Sequence, residues 1–220
     1  MTNAQRVTFS SAAGEASGVL VLPTGGAAGA PGVVVLPEWW GLNEQIQAVA
    51  TRYADAGFVA LVPDLYHGAV AKTAEDADRL MKALDFAQAV REIAGAVVFL
   101  RGHGSDKIAV TGYCLGGALA LATAVEVRGL AAVVPFYGLP GARDWSRVDA
   151  PIQAHFARDD DWATVAGAQQ VQAAVRVPME LHVYDAPHAF CNERRPDAYR
   201  PEAAHQAWNR TLAFIRAHTA

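Results

Sequence analysis

The length, composition and charge of this chain are those of a globular enzyme-sized protein. It has 220 residues, of which 52% are hydrophobic and 18% charged, which is ordinary content for a water-soluble domain. The formal net charge is −4 and Lys and Arg are not clustered, which argues against a nucleic-acid partner. Residues 1–10 lack the apolar core of a signal peptide, and no segment reaches the roughly 18 apolar residues of a membrane span. We therefore expect a single cytoplasmic domain over residues 1–220, a monomer without a membrane partner, acting on a small molecule.

The elements predicted along the chain are those of an α/β fold. Short apolar runs alternate with longer segments of helical period, which favours a mostly parallel central sheet with helices on both faces. The predicted strands are Val7–Phe9, Val19–Leu22, Gly32–Leu36, Val59–Pro63, Ile108–Thr111, Ala131–Phe136, Ile152–Phe156 and Glu180–Tyr184. The predicted helices are Asn43–Asp55, Thr73–Leu84, Phe86–Leu100, Leu115–Val125, Val165–Val175 and Pro201–His218. We expect the first two strands to be antiparallel, and residues 25–31 to form a hairpin between Val19–Leu22 and Gly32–Leu36.

The most informative segment of the sequence surrounds Cys114. The pattern Gly112-x-Cys114-x-Gly116 joins a short apolar run to a helix of small residues, as in a nucleophile elbow, where the flanking glycines make room for a strained turn. Cys114 would then lie at a helix N-terminus, where N–H groups and the helix dipole stabilise a thiolate, and the Leu115 N–H could bind an oxyanion. The alternative is a tight turn with a buried, inert cysteine.

Two further polar groups follow predicted strands. The aspartates 159–161 come after Ile152–Phe156, and His188 follows Glu180–Tyr184. Ligands of open α/β sheets bind beyond the carboxyl ends of the strands, and the order nucleophile, acid, histidine is that of α/β-hydrolases. In such a site the histidine moves protons and the carboxylate orients it. The alternatives are a surface histidine and an acidic turn before a helix.

Aromatic residues also follow several predicted strands. Glu38, Trp39 and Trp40 come directly after Gly32–Leu36, which suggests the wall of a site; the alternative is an exposed loop acid beside a tryptophan that covers the core. Three other aromatic residues follow strand ends and are, with Trp40, candidates for contact with substrate: Tyr66, Tyr137 and Phe190.

Four motifs together resemble the dienelactone hydrolases, or carboxymethylenebutenolidases, of the α/β-hydrolase superfamily. The motifs are Pro-Glu-Trp-Trp-Gly-Leu-Asn at 37–43, Pro-Asp-Leu-Tyr at 63–66, Gly-Tyr-Cys-Leu-Gly-Gly at 112–117 and Pro-His-Ala-Phe at 187–190. The resemblance implies the α/β-hydrolase fold and hydrolysis of a lactone or activated ester without a cofactor. It further implies that Cys114 is the nucleophile, His188 the base and Glu38 a partner of the cysteine that helps to generate the thiolate. The acid is one of Asp159, Asp160 and Asp161, and the count from the preceding strand favours Asp160.

The mechanism expected from this resemblance is thiol catalysis. The Cys114 thiolate attacks the carbonyl carbon, the backbone N–H groups of Leu115 and Trp39 hold the oxyanion, and His188 activates the water that releases the acyl group. The chain departs from the family where arginines bind a substrate carboxylate, because Ala74 and Asn192 occupy those positions. Dienelactone itself is therefore a doubtful substrate.

Other readings of the same residues remain open. The chain could be a ligand-binding protein on the same fold, or a redox sensor that uses the Cys114 thiol. Cys191 is expected to be a small buried side chain, with a regulatory disulfide to Cys114 as the alternative. His155 is expected to be a hydrogen-bonded core histidine, and Asp185 a turn residue. No cluster of Cys and His has the spacing of a zinc site, so no metal is expected.

Overall fold

The structure, a computed structural model, describes residues 3–103 and 106–220. The chain divides after Val110 into two compact units, and each is described by itself. The single domain expected over residues 1–220 stays a prediction. Within the described ranges, no helix combines the length and the apolar character that crossing a membrane requires.

The first unit contains four strands and three helices. The strands are β1 Asn3–Ser11, β2 Gly14–Leu22, β3 Gly32–Leu36 and β4 Val59–Pro63, and the helices are α1 Glu44–Asp55, α2 Ala74–Ala83 and α3 Phe86–Arg101. Strand β5, Ile108–Tyr113, begins in this unit. The strand order is β1-β2-β4-β3, with antiparallel β1–β2 and β2–β4 pairs and a parallel β3–β4 pair. The predicted antiparallel start of the sheet is confirmed.

The hairpin predicted at residues 25–31 is wrong. Strand β4 lies between β2 and β3, so Leu20 pairs with Leu61 and Val33 pairs with Ala60. A strand has only two hydrogen-bonding edges, and those of β2 are taken by β1 and β4. The segment 25–31 is instead a connection between strands that are not neighbours.

The second unit begins within β5 and contains the remaining elements. These are α4 Leu115–Glu126, β6 Ala132–Phe136, β7 Ile152–Asp159, α5 Val165–Ala174, β8 Met179–Pro187 and α6 Pro201–Thr219, with a short 3-10 helix at Trp145–Arg147 that the sequence did not predict. The strand order is β5-β6-β7-β8, and the β6–β7 and β7–β8 pairs are parallel. Each predicted strand and helix of the chain overlaps one of the observed elements.

Two glycines allow α4 to start directly against the end of β6. The Cys114 N–H donates to the Phe136 carbonyl oxygen at 3.0 Å, and a side chain at Gly117 would meet that same carbonyl oxygen. A side chain at Gly138 would meet the Cys114 carbonyl oxygen and the Ala118 amide nitrogen. Backbone atoms on both sides cannot give way without moving α4, so these positions determine where Cys114 is held.

Gly138→Ala is expected to destabilise the protein, because the new methyl group overlaps backbone atoms at the start of α4. Overpacking of this kind costs about 1–3 kcal/mol, which corresponds to a fall in Tm of about 2–12 °C in a protein of this size. The control is Gly141→Ala in the same loop, where a Cβ has no heavy atom within 4 Å. Thermal unfolding followed by circular dichroism measures both variants; equal Tm values for the two would contradict the prediction.

Candidate active site

Cys114 lies in a strained turn between a strand and a helix. Its backbone φ is 56°, in the left-handed region that residues with a Cβ rarely occupy, and it is the N-cap of α4. The side chain is partly exposed, although the strand before it and the helix after it are almost entirely buried. The strand–turn–helix geometry expected around Cys114 is therefore present, with the first N–H groups of α4 next to the sulfur-bearing residue.

Asp160 is a buried carboxylate that accepts hydrogen bonds from three donors. Its Oδ1 accepts the N–H groups of Trp162 at 2.9 Å and Ala163 at 3.0 Å, and its Oδ2 lies 2.6 Å from His188 Nδ1. Burial alone would raise the pKa of Asp160, but the hydrogen bonds from His188 and from the two amides, with the charge of the imidazolium, lower it below its usual value. Asp160 is therefore an anion that holds one ring nitrogen of His188.

His188 contacts both the carboxylate and the cysteine. Burial would lower its pKa, but hydrogen bonds with Asp160 and with Cys114, together with the negative charges of both groups, raise it to about 10. Because Nδ1 is bonded to Asp160, the other ring nitrogen is the one available to Cys114. A pKa of about 10 favours the imidazolium at neutral pH, a form able to donate a proton on one side while Asp160 orients it on the other.

A β-bulge brings the acid and the histidine together. The parallel register of β7 and β8 shifts after Ala157, so that Asp159 pairs with Pro187. The next residue of each strand is then Asp160 and His188, which leave the sheet side by side. Bulges commonly redirect a side chain next to an active site, and here the shift decides which carboxylate meets the imidazole.

The neighbouring aspartates have other surroundings. Asp159 and Asp161 are exposed, and the N-cap of α5 is Thr164, so neither aspartate caps that helix. Asp185 lies inside β8 rather than in the turn expected from the sequence, and its carboxylate is 3.7 Å from the Arg158 guanidinium. Of the candidates weighed from the sequence, Asp160 is the one hydrogen-bonded to His188.

One of the predicted substrate contacts packs against the imidazole, and a second packs against the first. The ring of Tyr137 meets that of His188 edge to face, with centroids 5.1 Å apart, and Phe190 lies 5.3 Å from Tyr137. Tyr137 is only 1% exposed and Phe190 is fully buried. These positions fit support of the His188 ring better than contact with a substrate.

The remaining predicted site residues lie after β3 and β4 in the first unit. Glu38 is 5% exposed, so the reading as an exposed loop acid is wrong. Trp39 and Trp40 are partly exposed and pack edge to face at 5.3 Å, and the half-buried Tyr66 lies against Gly41. The expected roles of Glu38, of the Trp39 N–H and of the Trp40 and Tyr66 side chains stay predictions.

The positions where the family carries arginines supply no charge. Ala74 is the exposed first residue of α2, and Asn192 is buried with its side-chain oxygen accepting the Arg194 N–H at 3.0 Å. Arg79, also on α2, lies 3.7 Å from the Asp76 carboxylate.

Three smaller expectations concern sulfur, histidine and metal chemistry. Neither Cys114 nor Cys191 forms a disulfide. His155 is fully buried and hydrogen-bonded, so its assignment as a core histidine is confirmed. In the described part of the chain, no group of three or more His, Cys, Asp or Glu side chains is arranged to hold a metal ion.

Two features of the site were not found from the sequence. The amides of Trp162 and Ala163 hold Asp160, and the signal was available, since an aspartate shortly before a helix commonly accepts the N–H groups that follow it. Gly138 makes room for the elbow, but nothing local distinguishes it from other loop glycines, because the atoms it avoids are distant in sequence.

Fold and site together define an α/β-hydrolase. A solved structure of a dienelactone hydrolase-like promiscuous phosphotriesterase from metagenomic libraries matches 99% of this chain, and 98% of its own length, with a TM-score of 0.89 and 25% identity. A family model described as the dienelactone hydrolase family matches residues 17–219. The chain belongs to the dienelactone hydrolase family.

Curated relatives agree with this assignment. Protein usf of Aquifex pyrophilus is 36% identical over 206 residues, which cover 86% of this chain and 88% of that protein. The carboxymethylenebutenolidase of Pseudomonas sp. strain P51 is 32% identical over 203 residues, which cover 84% of each chain. The predicted α/β-hydrolase fold with a mostly parallel sheet, and the predicted class of lactone or ester hydrolase, are confirmed. A ligand-binding or redox-sensing protein is not favoured.

The protonation state of His188 provides a direct test of the site. We expect the ring to be an imidazolium at pH 7.5 and to lose its proton near pH 10, since its pKa is raised to about 10. In Cys114→Ala the proton should leave at lower pH, because a hydrogen bond and a negative charge that favour the cation are removed. Nitrogen-15 NMR measures the titration, and His188→Gln assigns the signal among seven histidines. A neutral His188 at pH 7.5 in the unmodified protein would contradict this account.

Proposed function

We propose that this hydrolase opens lactones and cleaves activated esters through a thioester on Cys114, with His188 as the proton carrier and Asp160 as its orienting carboxylate. The observation that carries the proposal is the set of contacts of the His188 ring. Its Nδ1 lies 2.6 Å from Asp160, it is hydrogen-bonded with Cys114, and its pKa is raised to about 10. Ion pairs with a purely structural role also shift pKa values. Here, however, the His188 ring contacts both Cys114, which lies in a strained elbow, and the buried Asp160, which follows the neighbouring strand. That combination is what nucleophilic catalysis requires.

In the resting enzyme, Cys114 and His188 form a thiolate–imidazolium pair. The sulfur attacks the carbonyl carbon of the substrate, and the electron pair of the C=O bond moves to oxygen. The Leu115 N–H, at the start of α4, donates to that oxyanion. When the tetrahedral intermediate collapses, the C–O bond breaks and the imidazolium gives its proton to the leaving oxygen, which in a lactone stays attached to the acyl group.

The second half of the reaction uses the same imidazole as a base. Once the sulfur is acylated, the negative charge of Cys114 is gone, and with it part of what raises the pKa of His188. The ring, neutral after its first transfer, can then remove a proton from water, and the hydroxide attacks the thioester. The C–S bond breaks, the sulfur leaves as a thiolate, and the starting ion pair is restored. Asp160 remains ionised throughout.

Thiol chemistry restricts the useful substrates. A thiolate is a better leaving group than an alkoxide, so the tetrahedral intermediate of an unactivated ester returns to reactants more often than it forms the thioester. Enol esters, aryl esters and enol lactones avoid this because their leaving oxygens are stabilised. The implied partner is thus a small activated ester or lactone; the monomeric state and the cytoplasmic location stay predictions.

Removing the thiol or the imidazole should abolish turnover. Cys114→Ala and His188→Gln are each expected to lower kcat/KM for p-nitrophenyl acetate at least about 10³-fold, because nucleophile and proton carrier act as a unit. Cys191→Ala is the matched control, since it removes the other cysteine of the chain and should leave kcat/KM within about twofold. Initial rates of p-nitrophenolate release provide the measurement, with mass spectrometry to detect the thioester.

The same assay can overturn the proposal. Turnover by Cys114→Ala at more than a tenth of the rate of the unmodified protein would exclude a thioester on Cys114. Glu38→Gln belongs in the series, because a fall in kcat is expected if the predicted partnership of Glu38 with the cysteine exists.

A carboxylate on the substrate is expected to leave kcat/KM unchanged or to lower it. Because Ala74 and Asn192 provide no cation, a neutral enol lactone is expected to have kcat/KM at least equal to that of the same lactone bearing a carboxylate. An arginine pair would reverse this order. Initial rates on the two lactones, including dienelactone, decide the question; a preference for the carboxylate of about tenfold or more would mean that other cations bind it.

A further inference from the structure

A polar network with a buried centre and an exposed end at Glu180 is not used by the proposed mechanism. It joins β7, β8 and α6 in the second unit through side chains that are not catalytic. Its members are Gln153, His155, Glu180, Tyr184, Arg210 and Thr211. Its centre, His155, is fully buried, and Tyr184 is 4% exposed. Buried polar groups are costly unless fully paired, so such a network commonly specifies one arrangement of the elements that it joins.

The hydrogen bonds of this network run in one direction. Arg210 donates to the Tyr184 hydroxyl oxygen at 3.1 Å, which leaves the Tyr184 O–H to donate to His155 Nδ1 at 2.8 Å. His155 Nε2 then donates to the Gln153 side-chain oxygen at 3.2 Å, and the Gln153 amide donates to Glu180 at 2.6 Å. Burial, with the charges of neighbouring basic groups, holds the pKa of His155 well below its usual range. The one N–H of the neutral ring, on Nε2, lies between the Gln153 side-chain oxygen at 3.2 Å and the Thr211 hydroxyl oxygen at 3.1 Å.

Packed rings connect this network to the catalytic imidazole. The Tyr184 ring lies 4.9 Å from Phe190, Phe190 lies 5.3 Å from Tyr137, and Tyr137 lies 5.1 Å from His188. The backbone also connects the network to these rings, because the Tyr137 N–H donates to the His155 carbonyl oxygen at 2.8 Å. The orientation of the Tyr184 ring therefore bears on the orientation of the His188 ring through three close-packed aromatic contacts.

The segment that carries His188 needs such support. Ala189, the next residue, has φ of 64°, and Tyr137 has φ of 35°, both in the left-handed region. Residues with a Cβ remain in this region only when their surroundings hold them there. The hydrogen bonds with Asp160 and Cys114 hold the two ring nitrogens, and the Tyr137 ring packs on the imidazole between them.

We propose that Tyr184 and His155 are positioning residues for His188: the hydroxyl-to-imidazole hydrogen bond fixes the Tyr184 ring, which supports Phe190 and Tyr137 against the face of the catalytic imidazole. The consequence for turnover rests on the proposed function of His188, whereas the consequence for the geometry of the imidazole does not. Tyr137 and Phe190 accordingly act through His188 rather than by binding substrate.

Tyr184→Phe is the direct test, because it keeps the ring and removes the hydroxyl. We expect kcat for p-nitrophenyl acetate to fall about 3- to 10-fold with KM changed less than about twofold, since misplacing a proton carrier affects the chemical step. We also expect the downfield proton resonance of His188 Nδ1–H, a signature of its short bond to Asp160, to shift or broaden.

The control separates positioning from stability. Thr111→Val removes another buried hydroxyl of the second unit, which donates to the Val134 carbonyl oxygen at 2.9 Å. It should lower Tm, but leave the His188 resonance and kcat unchanged. If Tyr184→Phe lowers Tm without moving either readout, the network is structural only and the proposal is wrong.

A second variant covers the case in which Tyr184→Phe does not fold. Phe190→Leu removes the ring that joins Tyr184 to Tyr137 and keeps an apolar side chain, so it should shift the His188 resonance in the same way. The resonance is recorded without substrate. If the resonance shifts in Phe190→Leu while Cys114→Ala retains turnover, the positioning proposal therefore stands and only the thioester mechanism is overturned. An unshifted resonance in Phe190→Leu would overturn the positioning proposal.

Discussion

The hydrogen bond between Asp160 and His188 is the contact on which the proposed chemistry of this chain depends. An imidazole can carry a proton between a sulfur and a substrate only if its other nitrogen is held, and the buried carboxylate holds it at 2.6 Å. The carboxylate is itself kept ionised by the amides of Trp162 and Ala163, which compensate for the loss of water around it. The loop before α5 thus has an electrostatic role, because its amides keep Asp160 ionised.

Charge separation within the second unit follows from that contact. Asp160 and Cys114 are both hydrogen-bonded with this one ring, and both favour its cationic form. The elbow adds the N–H groups at the start of α4, which favour negative charge at the sulfur and at a developing oxyanion. The strain at Cys114 is tolerated because α4 is packed against β6 through glycines, where backbone meets backbone without room to relax.

The interior of the second unit contains buried polar side chains that are hydrogen-bonded to one another. His155 would be destabilising alone, since a buried imidazole must remain neutral and still find partners for both nitrogens. It finds them on Tyr184 and Gln153, which lie on the next strand and on its own strand. A core built in this way tolerates few alternative packings, which suits a neighbouring site that requires a fixed imidazole.

Local patterns in the sequence determined most of the fold and the position of the nucleophile. The alternation of apolar runs with helical periods depends only on near neighbours, and so does the Gly-x-Cys-x-Gly turn, so strands, helices and elbow were all found without tertiary contacts. The insertion of β4 beside β2 was missed because strand pairing is a competition between distant segments. The choice among three successive aspartates likewise required the tertiary structure. A one-residue shift in the register of β7 and β8 places Asp160 beside His188, and such a shift exists only once the two strands, separated by α5, have paired.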